Sequence, residues 1–150
     1  MVDGTLETTV RQFDNRVKPE SIQIRAKTFD PEDIIEVDVI GSPGTQGEEI
    51  VNAKLSNFQR EPLEWFNSHQ TFKLKFYLTA GGIDNSPEVH VASLRADEVS
   101  NQLIWNSGGT DWNNATSSDN MEVVGSKVGL ESTIPDSGIY RQDDWGDGKL

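Results

Sequence analysis

The chain has 150 residues, with 25 Asp plus Glu against 13 Lys plus Arg, a net charge of −12, and no cysteine. A chain of that length makes one domain, two at most, and buries enough surface to fold without a metal or a cross-link. Disulfides, cysteine-based zinc sites and a cysteine nucleophile are excluded, and the negative surface opposes binding to a phosphate backbone.

The N-terminal run Met1-Val2-Asp3-Gly4-Thr5-Leu6-Glu7 is acidic and does not read as a secretion signal. No stretch approaches the about 18 apolar residues of a membrane span, so no membrane insertion is expected. A first strand is predicted over 6–13. Ile22, Ile24 and Ala26 then alternate with polar neighbours, as do Ile35, Val37 and Val39, and after them Val51, Ala53 and Leu55. Phe72, Leu74, Phe76 and Leu78 alternate with Lys73 and Lys75. Successive side chains of a strand point to opposite faces, so each run has one buried and one wet face. The turns between them are Asp30-Pro31-Glu32-Asp33, Gly41-Ser42-Pro43-Gly44 and the loop 81–87. Further strands are predicted at 88–95, 102–105 and 121–130.

Helix signals are slight: one turn over 62–66 opened by Pro62, and a short one over 96–103 with Asp97 as its cap. Wet-faced antiparallel strands in this number predict an all-β fold, an antiparallel two-sheet sandwich of jelly-roll or Ig-like type. The polar loop 106–120 lies outside the pattern, and loops of that length are usually functional or mobile. Residues 131–150 carry five carboxylates and no apolar period, which makes the domain 1–130 and the remainder an acidic arm whose anchors are Ile134, Ile139, Tyr140 and Trp145.

Chemistry-bearing motifs are few. His69 and His90 stand 21 residues apart without zinc-site spacing, and both read as surface or structurally bonded. There is no GxSxG elbow, no phosphate-cradling glycine loop and no GxGxxG, so catalytic residues are not assigned. Asp143-Asp144-Trp145-Gly146-Asp147-Gly148 departs from a calcium loop at its third position, where Trp145 stands, and the sequence ends before a twelfth. Calcium ligation by Asp111 or Asp119 is a weaker expectation. Trp105, Asp111, Trp112, Asn113 and Asn114 together suit a sugar site, with rings stacking on a pyranose and amides bonding its hydroxyls. Against this stands a plainer reading, in which Trp105 is core and Trp112 pins the loop. Asn114-Ala115-Thr116 is a glycosylation sequon.

From residue 6 to residue 130, with the arm, the chain resembles small single jelly-roll or Ig-like viral proteins, and its acidic bias is similar to those of halophilic hosts. The resemblance implies a capsid or capsid-decoration protein on a virion or extracellular surface, with copies of itself or neighbouring structural proteins as partners. A carbohydrate-binding module is the alternative expectation, and an unrecognised hydrolase the lesser one.

Overall fold

The computed structural model describes residues 2–57, 59–64, 66–97, 100–106 and 111–134. Among these, the strands are β1 (Val2–Glu7), β2 (Arg11–Val17), β3 (Ser21–Lys27), β4 (Ile34–Gly41), β5 (Glu49–Lys54) and β6 (Arg60–Pro62). They continue with β7 (His69–Ala80), β8 (Glu88–Arg95), β9 (Gln102–Trp105), β10 (Ser117–Asp119), β11 (Met121–Val124) and β12 (Lys127–Leu130). A single 3-10 turn covers Trp112–Asn114, and no α-helix occurs among the described residues.

The strands form two antiparallel sheets packed face to face. In the first, the order is β10-β1-β7-β4-β5, with β2 also on β7; in the second it is β11-β12-β8-β3-β6, with β9 also on β8. The inward residues of both sheets make one core. Phe72, Leu74, Phe76 and Leu78 of β7 are completely buried opposite Ile22, Ile24, Val89, Ala92 and Leu94, while the alternate residues of β7 face water. The period-two pattern in the sequence is therefore the sandwich seen edge-on.

The structure refines five local readings. The strand predicted over 6–13 is two strands, β1 and β2, that share one edge of β7 in succession. At the break the buried Thr8 donates its N–H to Leu74 O at 2.9 Å, and its hydroxyl accepts from Leu74 N–H at 3.0 Å. A side chain thus replaces a ladder acceptor while the backbone turns away. Of the predicted turn over 62–66, Pro62 closes the short strand β6, the Leu63 N–H bonds Glu20 O, Glu64 lies in a turn, and Trp65 is outside the described residues. Of the predicted turn over 96–103, residues 98 and 99 lie outside the described residues, Ser100 lies in a turn, and β9 begins at Gln102. The loop 106–120 contains a 3-10 turn and β10. The predicted strand over 121–130 is a hairpin, β11 and β12, closed by Gly125-Ser126 with Gly125 at φ 63°, where a side chain would be strained.

The body also extends past residue 130. Asn120 accepts from Glu131 N–H and Ser132 N–H, and Thr133 donates its hydroxyl to Ile83 O. Of the predicted arm anchors, Ile134 is exposed at the end of the described chain; Ile139, Tyr140 and Trp145 lie outside the described residues.

Candidate functional site

The predicted sugar site is built differently from the sequence reading. Trp105 is completely buried and Trp112 is 2% exposed, so neither ring face is available to a pyranose. The Trp105 indole N–H bonds Thr9 O, at the break between β1 and β2, at 3.1 Å. Trp112 packs edge-on against Phe76 at 5.5 Å between ring centres and donates to His90 O. Residue His90 is the extra residue of a bulge, since Arg25 pairs with Val91 but Ala26 with Val89. The bulge turns the His90 carbonyl towards the loop, where the Asn106 amide also donates to it at 2.8 Å.

Asp111 is buried as well. Its carboxylate accepts from Asn106 N–H and from the Arg11 guanidinium, and its own N–H returns to Asn106 Oδ1. Asn106, at φ 72°, adopts the left-handed conformation that asparagine tolerates best after glycine. Asn113 and Asn114 are exposed beside this knot. The five predicted residues are therefore neighbours, but three of them hold the loop to the sandwich. The plainer sequence reading, with Trp105 in the core and Trp112 pinning the loop, is the one these contacts match. Asp119 stands exposed on the edge strand β10, and no cluster of three or more His, Asp or Glu that could hold a metal ion occurs among the described residues.

A constellation not anticipated from sequence joins three strand ends. Ser42 Oγ and His69 Nδ1 lie 2.7 Å apart, and His69 Nε2 and Glu49 Oε1 lie 2.8 Å apart. Ser42 follows β4 at φ 50°, Glu49 opens β5, and His69 opens β7 at 5% exposure between the rings of Phe66 and Phe72. Burial of the Glu49 carboxyl works against its ionised form. Hydrogen bonds from His69 and from Asn67 outweigh that effect and hold it below its ordinary value. In the neutral tautomer that donates Nε2–H to the ionised Glu49, Nδ1 accepts from the Ser42 hydroxyl.

Serine, histidine and glutamate in a chain invite comparison with a hydrolytic triad. A triad also needs donors aimed at a developing oxyanion, and the adjacent backbone offers none. Ser42 N–H bonds Thr71 O, Gly44 N–H bonds Glu48, and Thr45 N–H bonds Ser42 O. Pro43 has no N–H. The ring instead lies flat on Gly41, where an added Cβ would stand 2.5 Å from His69 Cδ2. This geometry pins strand ends.

The outward face of the first sheet carries Tyr77, whose hydroxyl donates to Asp38 at 2.7 Å while Asn52 donates to the other oxygen of the same carboxylate. Hydrogen bonding to Asp38, then burial, pushes the Tyr77 phenol up to about 12. Lys75 covers its ring at 5.3 Å and Lys73 pairs with Glu7 at 2.7 Å.

At one end of the sandwich the β3–β4 turn, the β7–β8 loop and the β11–β12 hairpin meet. A groove of about 270 Å³ opens there between Phe29, Glu122, Val124, Lys127 and Glu131. Six large hydrophobic residues are exposed among the described residues; Phe29 and Val124 line this groove, and Ile83 and Ile134 adjoin its lining residues Asp84 and Thr133. Phe29 and Ile83 could have been singled out from sequence, since each is an apolar residue stranded in turn chemistry. No family model, curated protein or solved structure matches the chain.

Proposed function

We propose that this domain is a non-enzymatic structural subunit of a larger assembly, of the kind that small viral capsid and capsid-decoration sandwiches provide, and that it meets its neighbours at the groove end. The carrying observation is the concentration of Phe29, Ile83, Val124 and Ile134 there, 42–69% exposed. Apolar side chains gathered on one surface mark a contact site, whereas singly scattered ones carry no message. The rest of the surface supports the same reading. The histidine cluster and the tyrosine face are held by internal hydrogen bonds.

The test is recovery of the protein from its native source. It should co-sediment with a large complex, and the double change Val124→Asp with Ile83→Asp should leave the domain folded by circular dichroism while releasing it from that complex. A native protein that sediments as a lone monomer would overturn the reading.

A further inference from the structure

Building on the assembly reading, we infer that the groove between the β3–β4 turn and the β11–β12 hairpin takes a cationic, apolar segment from a different protein. The groove is not only apolar. Asp84, Glu88, Glu122 and Glu131 line it against Lys127, the one cation among its described lining residues, which is already held by Glu88 at 3.3 Å. Glu88 is also 3.7 Å from His90. On the rim, Lys27 is committed to the ring of Phe29 at 4.8 Å.

The occupant must therefore bring apolar side chains for Phe29 and Val124 and positive charge for the carboxylates around them. Electrostatic complementarity of this kind steers encounter and rejects wrong partners. It argues against two nearer occupants. A second copy of this chain carries −12, so two copies repel one another overall. The chain's own residues 135–150 hold four aspartates against Arg141 and Lys149, so their charge has the wrong sign. Like charges placed together at a contact cost free energy that apolar burial must first overcome.

Selection from a phage-displayed random peptide library against the folded protein tests this directly. Enriched peptides should combine Lys or Arg with Leu, Ile, Val or aromatic residues, and on titration into 15N-labelled protein should shift amides of Phe29, Glu122, Val124 and Glu131. The change Glu122→Lys with Glu131→Lys should weaken them about tenfold or more. Reversing two charges at the opposite end, Asp14→Lys with Asp97→Lys, should leave affinity within about twofold at a salt concentration near 0.1 M, where separated charges are screened. Three results would overturn the inference: no enrichment, enrichment of acidic or uncharged peptides, or equal loss with both double variants, which would reduce the effect to net charge. None of these would touch the assembly reading, which rests on co-sedimentation and fails separately.

Discussion

Arg11 and Asp111 are 100 residues apart in the chain and meet at 2.5 Å. The pair joins β2 to the loop before the 3-10 turn, and Asp111 is the more buried partner, its side chain 12% exposed against 39% for Arg11. Removing the carboxylate also strands the buried N–H of Asn106. Asp111→Ala should cost about 2–3 kcal/mol, and Arg11→Ala about 1 kcal/mol, because a partly exposed ion pair is worth little by itself. Urea melts of the two variants provide the check, and equal costs would show that the ion pair, not the Asn106 contact, dominates.

The register of β7 makes a sharper claim. Phe76 is completely buried against Trp112, and its neighbour Lys75 faces outward over Tyr77. Phe76→Ala should cost about 3–5 kcal/mol and Lys75→Ala less than about 0.5 kcal/mol. Trp112→Ala should resemble the former in thermal melts, which a ring placed for sugar stacking would not.

Acid should find Glu49. A carboxyl held below its ordinary value of 4.5 contributes stability that is present above that value and lost as pH falls through the lower folded one. Glu49→Gln should therefore be less stable than the native chain at pH 6, with the gap closing below about pH 4. A gap independent of pH would mean that the contact with His69 acts by shape alone.

Alkali should find Tyr77. Its phenol is pushed up to about 12 from 10.0, chiefly by the bond to Asp38, so the stabilisation it carries is intact below pH 10 and lost as pH rises through the folded value. Absorbance titration should resolve one tyrosine ionising near 12, and Asp38→Asn should move it back towards 10.0. An unmoved midpoint would assign the effect to burial.

The sheets were largely legible because alternation is a one-dimensional record of a two-faced object, and Phe72 to Leu78 spelled it without interruption. Interruptions were not legible. Nothing in Thr8-Thr9-Val10 announces that a hydroxyl will stand in for a backbone acceptor of β7, and the turn between β11 and β12 is only Gly125-Ser126 between two short runs. For the aromatic loop it is the plainer reading, with Trp105 in the core and Trp112 pinning the loop, that matches the structure: Trp112 packs on Phe76 and bonds the carbonyl of His90, 22 residues upstream. The contact of Ser42, Glu49 and His69 is tertiary in the same sense, since each residue alone sits in ordinary turn or strand-end chemistry.

The placement of β7 in the first sheet has a consequence in time. Val2 to Glu7 have their hydrogen-bonding partners at Lys75 to Ala80, and Ile34 to Gly41 have theirs at Phe72 to Thr79. During synthesis, roughly the first half of the chain is therefore made before the strand that will unite it exists. Closing loops of that length must precede any reward from pairing, which places this domain among slow, non-local folders. While β1 and β4 wait, their apolar faces are open to whatever else is near, and the acidity of the chain then acts before the fold does, holding unfinished copies apart from one another.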